Sequence, residues 1–91
     1  MSNPPSFVSI IIPVYNDSQR LKDCLSLLEN QTYPKNAYEV IVVDNNSTED
    51  LKPVVSQFSQ AQYVFESKPG SYSARNKGLD IAKGEILGFT D

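Results

Sequence analysis

The stretch Tyr38-Glu-Val-Ile-Val-Val-Asp44 leads directly into Asn45-Asn46-Ser47-Thr48, so a carboxylate follows an apolar, β-branched run. Such a run is typical of a parallel strand that is covered on both faces. Open α/β sheets bind their ligands at the carboxyl ends of their strands. The stretch therefore predicts a buried strand over residues 40–43, with Asp44 at a ligand-binding rim. The alternative is that Asp44 only stabilises the turn.

The runs around this strand complete an alternating order of strands and helices. Strands are predicted over residues 7–12, 62–66 and 85–89, and helices over about 19–31, from a cap near Asp50 to about Gln60, and from Ser71 to near Gly84. Pro13 is expected to end the first strand, and Gly84 to end the third helix in the left-handed conformation. The order β-α-β-α-β-α-β, with short connections, predicts a Rossmann-like α/β fold in which helices cover both faces of a mainly parallel four-stranded sheet.

Composition indicates one small globular domain. Of the 91 residues, 40% are hydrophobic and 21% charged, and we assign residues 1–6 to a polar tail and residues 7–91 to a single domain. The net charge of -3 and eight scattered basic residues argue against binding to nucleic acid or an anionic membrane. No apolar stretch approaches the roughly 20 residues that span a bilayer, and the first residues do not resemble a signal peptide, so we expect a cytoplasmic protein.

The cysteine and histidine content narrows the possible chemistry. The chain has one Cys and no His, which excludes an internal disulfide, a Cys/His metal site and a catalytic triad built on imidazole. Cys24 shares a predicted helical face with Leu21, Leu25 and Leu28. It is interpreted as a core residue rather than a nucleophile.

The loop after the first strand lacks the glycines of a phosphate-binding loop. Pro13-Val14-Tyr15-Asn16 stands where a dinucleotide fold carries G-x-G-x-x-G. The loop instead offers a rigid proline, an aromatic ring and an amide, against which a base or sugar can stack and hydrogen-bond. The structural alternative is that Pro13 ends the strand and Tyr15 covers the edge of the core.

Three charged side chains are candidates for ligand binding at the same rim. Asp44 can accept hydrogen bonds from a pyrimidine N–H or from ribose hydroxyls, since residues 45–47 can satisfy the turn without it. Arg75, in the first turns of the third helix, is the best candidate partner for an anion, or else an exposed helix charge. Asp91 follows the fourth strand and could meet Asp44 at a divalent cation or a ribose, although a carboxylate after a strand is usually a turn residue.

Four motifs in order resemble one known family. They are Val8-Ser-Ile-Ile-Ile-Pro13-Val-Tyr15-Asn16, Val40-Ile-Val-Val-Asp44-Asn-Asn-Ser47-Thr48, Gly70 with Ala74-Arg75-Asn76-Lys-Gly78, and Gly84-Glu85-Ile-Leu-Gly-Phe-Thr-Asp91. Together they resemble the nucleotide-binding half of family 2 glycosyltransferases with the GT-A fold, over nearly the whole chain. The resemblance implies a partial GT-A domain from an inverting, metal-dependent enzyme. Such an enzyme moves a sugar from a nucleotide-sugar donor, usually a UDP-sugar, to an acceptor hydroxyl.

The resemblance also implies roles for individual residues. The nucleotide-binding residues would be Pro13, Val14, Tyr15, Asn16, Asp44, Asn46, Arg75 and Asp91. Among them, Asp44 would read the nucleobase, usually uracil, and Arg75 would lie near the diphosphate. Asp91 would open a D-x-D motif that contacts the ribose and Mg²⁺ or Mn²⁺. The sequence departs from the family at Asn45, where many relatives carry a second Asp.

In this family the rest of D-x-D, the acceptor-binding half and the general base all follow the position of Asp91. The resemblance therefore implies no catalytic residue within this chain, which we expect to be an inactive piece of a longer enzyme. Such a piece would expose apolar surface and could associate with itself. The alternative is a noncatalytic α/β module that binds a nucleotide or a partner, with Arg75 and Asp91 as ordinary surface charges.

Overall fold

The alternating order of strands and helices is confirmed by a computed structural model, which describes residues 6–89 and, for residues 86–89, the backbone alone. The elements in chain order are β1 (Val8–Val14), α1 (Ser18–Glu29), β2 (Tyr38–Asp44), α2 (Lys52–Val55), β3 (Ala61–Phe65), α3 (Ser71–Ile81) and β4 (Glu85–Phe89). A 3₁₀ turn over Lys35–Ala37 precedes β2. Within residues 6–89, none of the helices is long and apolar enough to cross a membrane.

The strands of the described residues form one parallel sheet in the order β3-β2-β1-β4. Val14 at the end of β1 lies opposite Asp44 at the end of β2, and Asp44 in turn lies opposite Phe65 at the end of β3. The predicted Rossmann-like α/β fold is therefore confirmed. Because the three strands end at the same level, the loops that follow them meet at one edge of the sheet, here called the carboxyl edge.

Alternating side chains of the central strands fill a core on each face of the sheet. On one face, β1 and β2 pack with Leu21 and Leu25 of α1, and burial of each leucine stabilises the fold by about 1.5–3 kcal/mol. On the other face, Ile11 belongs to a second core with Ala74 of α3. Gly78 allows this helix to approach the sheet closely, since a Cβ there would lie 2.5 Å from Ile11 Cγ2. Helices thus cover both faces, as predicted.

β1 continues through Pro13 to Val14, so the prediction that Pro13 ends the strand was wrong. The Val14 carbonyl accepts the Asn45 N–H at 2.8 Å, which shows that the backbone polar groups of Val14 point towards β2. The backbone polar groups of Pro13 consequently point to the other side of β1, towards β4. On that side, the described pairs between β1 and β4 stop at Ile11. Proline is tolerated in a strand at such an unpaired position. The Pro13 carbonyl instead accepts a hydrogen bond from Arg20 Nη2 at 3.1 Å.

α2 is a single turn, much shorter than the predicted helix to about Gln60. It has its proline, Pro53, in the first turn, as expected where backbone N–H groups lack intrahelical partners. After Val55 the backbone turns, and the Phe58 N–H bonds to the Val55 carbonyl at 3.1 Å. The side chain of Phe58 still packs against the core. The sequence pattern thus located the helix but not its length.

The end of α3 also differs from the prediction. The helix ends at Ile81, and its cap is Ala82 with φ -65 and ψ 135. Gly84 is not in the left-handed region, so the left-handed cap was a wrong interpretation. A different constraint applies to Gly84, because a Cβ there would lie 2.5 Å from the Phe7 carbonyl oxygen. Leu79, in the last turns of this helix, is 43% exposed.

Candidate functional site

Asp44 lies at the carboxyl end of β2 and is only 3% exposed. Its Oδ1 accepts the Ser47 N–H at 2.9 Å, and its Oδ2 accepts the Tyr63 hydroxyl at 2.5 Å. Asp44 therefore does stabilise the turn, and the interpretation that residues 45–47 satisfy it alone was wrong. Since an ionised carboxylate offers about four lone-pair sites, each oxygen keeps the capacity to accept one further donor.

Tyr63 of β3 supplies the phenol that holds this carboxylate. Burial raises the pKa of Tyr63 from 10.0 to about 12, and the hydrogen bond to Asp44 and the charges of Asp44 and Asp50 act in the same direction. The phenol is therefore fully protonated near neutral pH and donates a short hydrogen bond to the Asp44 side chain. Lys52 Nζ lies 5.5 Å from the centroid of the Tyr63 ring, within cation–π range. The Asp44 side chain is thus held in one orientation.

Asn45, the next residue, is 8% exposed and joins the end of β2 to the loop after β3. Its Nδ2 donates to the Glu66 carbonyl at 3.2 Å and to the Lys68 carbonyl at 2.6 Å. Its Oδ1 accepts the Gly70 N–H at 3.0 Å. Sequence reasoning missed this role. The available signal was that residues 67–70 follow a parallel strand and must therefore reach the same edge as Asn45.

Asn16 joins the first loop of the carboxyl edge to the second. Its N–H donates to Ser47 Oγ at 2.8 Å, and its Oδ1 accepts from the Thr48 N–H at 2.8 Å and from Thr48 Oγ1 at 3.1 Å. Asn16 has a φ of 50, in the left-handed region that Asn enters more readily than most residues. The amide oxygen that was predicted to face a ligand is therefore used to hold the second loop.

A cavity of about 460 Å³ opens at the carboxyl edge, between these loops. Its lining residues come from the loops after β1, β2 and β3 and from the start of α3, and they are Tyr15, Asn45, Asn46, Ser67, Pro69, Gly70 and Ser71. Tyr15 is 62% exposed and so presents its ring to solvent. The volume lies in the range of small-molecule sites, about 300–1,000 Å³.

The predicted site residues fall in different places around this cavity. Tyr15 and Asn46 line it, and Asp44 precedes the lining residue Asn45. Pro13 and Val14 are buried within β1, with Val14 in the core under α1 and α2, and neither is among the residues that line the cavity.

The two predicted partners of a diphosphate and a metal are placed differently. Arg75 is half-buried, one helical turn after Ser71 of the lining. Asp91 lies outside the described residues. Within residues 6–89, no group of three or more His, Cys, Asp or Glu side chains could hold a metal ion. The described part of the carboxyl edge therefore offers hydrogen-bonding groups and an aromatic ring, with the Arg75 guanidinium one helical turn away, but no metal centre.

Known proteins share both the sequence and the fold. The family model described as Glycosyl transferase family 2 matches residues 9–91. Glycosyltransferase AglE from Haloferax volcanii is 44% identical over 96 residues, which covers 100% of this chain and 32% of AglE. The chain therefore spans about a third of the length of this relative.

Two solved structures illustrate the structural likeness. The S. aureus TarS 1-349 structure in complex with UDP-GlcNAc matches with a TM-score of 0.77 and 32% identity, over 93% of this chain and 26% of that one. The mannosyltransferase PcManGT from Pyrobaculum calidifontis, in complex with GDP-Man and Mn²⁺, matches with a TM-score of 0.81 and 28% identity, over 91% of this chain and 26% of that one.

Proposed function

The chain belongs to glycosyl transferase family 2, and we propose that its carboxyl-edge cavity binds the nucleotide of a UDP-sugar, from which the enzyme transfers the sugar to an acceptor hydroxyl. The observation that carries this proposal is the buried Asp44 carboxylate at the end of a central strand, directly before Asn45 and Asn46, which line the cavity together with Tyr15. The similarity to TarS, which was solved with UDP-GlcNAc, supports the choice of donor.

Recognition of the base is assigned to Asp44 and Tyr15. Each Asp44 oxygen already accepts one hydrogen bond and has a lone pair left, so the carboxylate can accept the ring N–H of uracil in a charge-assisted bond. Tyr15 offers an exposed aromatic ring for stacking against the base. Asn46 and the backbone of residues 13–16 complete this end of the proposed pocket.

The diphosphate is assigned to the start of α3. Backbone N–H groups in the first turn of a helix lack intrahelical partners and favour an anion. Ser71 brings this first turn to the cavity, and the Arg75 guanidinium lies one turn further along the helix. A guanidinium is well suited to phosphate oxygens because of its planar, bidentate geometry.

The proposal includes inversion at the transferred sugar carbon and a requirement for Mg²⁺ or Mn²⁺. The PcManGT complex with Mn²⁺ supports the use of a divalent metal, and Asp91 would be its ligand from this chain. A bound metal would stabilise the negative charge on the leaving diphosphate. We assign no general base, because Asp44 is buried and bonded to Ser47 and Tyr63 and therefore serves binding rather than proton transfer. Residues 1–91 are expected to bind the donor without transferring its sugar.

Calorimetric titration of the chain with UDP and with GDP, each with and without Mn²⁺, tests this proposal. We expect UDP to bind more tightly than GDP and Mn²⁺ to strengthen binding of UDP. Preference for GDP would refute the assignment of uracil. Absence of binding by either nucleotide, in a sample that circular dichroism shows to be folded, would refute the nucleotide pocket as a whole.

A further inference from the structure

We propose that Asn45 is a positioning residue that holds residues 66–70 in place as one wall of the nucleotide pocket, and that in this chain its amide group is needed for these contacts. The identity of the ligand rests on the function proposed above, whereas the position of the wall does not. The inference is built on three side-chain hydrogen bonds that one amide makes to three backbone groups of the same loop.

Asn45 is itself firmly anchored to the sheet. Its backbone N–H donates to the Val14 carbonyl of β1 at 2.8 Å, and the side chain is almost fully buried. The amide therefore projects from the sheet at a fixed point. The two central strands therefore set the position of a loop that bonds to this amide.

Backbone bonds fix the two ends of the loop, since the Glu66 N–H donates to the Asp44 carbonyl at 2.9 Å and the Ala74 N–H donates to the Gly70 carbonyl at 3.3 Å. Between these ends, few other groups fix its shape. Pro69 has no N–H to donate, and the Lys68 N–H bonds within the loop, to Glu66 Oε2 at 3.0 Å. Gly70 has a φ of 104, which favours glycine and allows its N–H to point back towards Asn45 Oδ1. In the described part of the chain, Asn45 is thus the side chain that connects residues 66–70 to the sheet.

The wall of the cavity lies where these bonds are made. Ser67, Pro69 and Gly70 all line the cavity, and the three bonded backbone groups lie at positions 66, 68 and 70. Each of these three lining residues is therefore either bonded to Asn45 or adjacent in sequence to a residue that is bonded to it. Movement of the loop away from Asn45 would change the width of the cavity directly.

A carboxylate at position 45 could not make the same contacts to this loop. It would keep the acceptor for the Gly70 N–H but has no donor, so an oxygen would face the Lys68 and Glu66 carbonyls at the distances of 2.6 and 3.2 Å now spanned by Nδ2. Both carbonyls would lose their donor and would be repelled by the charge. Protonation of the carboxyl group would restore one donor.

The experiment compares Asn45→Ala and Asn45→Asp with the wild type. Asn36→Asp, at an exposed position before β2, is the matched control for the added charge. Amide hydrogen exchange measured without nucleotide is expected to be about tenfold faster at Gly70 in Asn45→Ala, because that amide loses its acceptor. UDP is expected to bind about tenfold more weakly to both Asn45 variants at pH 8, and with unchanged affinity to Asn36→Asp.

A pH series separates positioning from general damage to the fold. As the pH falls to 5, the ratio of the Asn45→Asp dissociation constant to that of wild type should move back towards one, since the protonated group can donate to the Lys68 carbonyl. We compare the ratio because both proteins contain the same charged or titratable groups beside this position. These groups are Asp44, Glu66, Lys68 and Tyr63. The Asn45→Ala ratio should not change. If Asn45→Ala does not fold, Asn45→Asp at pH 5, which is nearly isosteric with the wild type, still gives the comparison.

The outcomes distinguish this inference from the proposed function. Faster exchange at Gly70 with no UDP binding by wild type would support the role of Asn45 and refute the nucleotide pocket alone. If wild type binds UDP and the folded Asn45 variants bind it equally well, or if exchange at Gly70 is unchanged in Asn45→Ala, Asn45 does not position the wall and the inference is overturned.

Discussion

The two edges of the sheet both contain buried polar side chains, but they use them differently. The amino edge is the opposite end of the sheet, where β1 and β2 begin. There, Ser9 is 0% exposed, donates to Glu39 Oε2 at 2.7 Å and accepts the Gly84 N–H at 2.9 Å. Glu39 Oε2 also accepts the Lys83 N–H at 2.8 Å. This network joins the starts of β1 and β2 to the turn before β4, so its bonds hold the strands together.

At the carboxyl edge, Asp44 and Asn45 also bond to neighbouring segments, but the loops that they hold surround a cavity. Asp44 keeps lone pairs for further donors, and the ring of Tyr15 stays exposed. The comparison teaches that a buried polar residue does not by itself mark a ligand site. The distinguishing feature is whether its bonds join strands directly or position loops around an open space.

Asp44→Ala should have the largest effect and should act on binding. Loss of a charge-assisted hydrogen bond of about 1.5–3 kcal/mol would weaken UDP binding by about 10- to 150-fold. Calorimetry gives the affinity, and circular dichroism controls for folding. The pKa of Tyr63 should also fall from about 12 part of the way towards 10.0, because the contributions of Asp44 disappear while burial remains. Unchanged affinity in the folded variant would show that Asp44 belongs with the structural residues of the amino edge.

Glu39→Ala should lower the stability of the fold with little change in UDP binding. The Ser9 hydroxyl and the Lys83 N–H would lose their acceptor, at a cost of about 1–3 kcal/mol in the free energy of unfolding. Urea denaturation measures this loss. A weakening of UDP binding comparable to that in Asp44→Ala would contradict the separation of the two edges.

Tyr63→Phe should have a smaller effect that depends on pH. Because the pKa of Tyr63 is raised in the folded state, its contribution to stability is fully present below pH 10 and is lost as the pH rises towards about 12. The variant should lose about 1 kcal/mol near neutral pH with the bond to Asp44, and should show a shallower fall in stability above pH 10. Tyr15→Phe, at an exposed ring, is the matched control. Equal alkaline slopes in wild type and Tyr63→Phe would refute the role given to this phenol.

The sequence was sufficient to predict the fold because the strands are long apolar runs and the helices carry apolar faces. It could not show that β1 continues through Pro13, since that depends on which neighbouring strand the backbone of Pro13 faces. Nor could it give the length of α2, where one turn and a few local bonds replace the rest of the expected helix.

The candidate site was predicted only in part for a related reason. Asp44 and Tyr15 could be identified because they directly follow apolar runs that end at the carboxyl edge, and Asn46 was named through the family resemblance. Their partners could not, since Asp44 bonds to Tyr63 and Asn45 bonds to Gly70 through contacts between different strands and loops. No local pattern records such pairs, and they become visible only when the register of the sheet is known.

The most direct test of the contrast between the edges is to follow the backbone amide signals of the ¹⁵N-labelled chain by NMR while UDP is added. We expect the amide signals of Tyr15, Asn46 and residues 67, 68, 70 and 71 around the cavity to shift, and those of Ser9, Glu39 and Lys83 to stay unchanged. Shifts centred on the amino edge, or no shifts in the folded chain at saturating UDP, would contradict the claim that the carboxyl edge is a nucleotide-binding site.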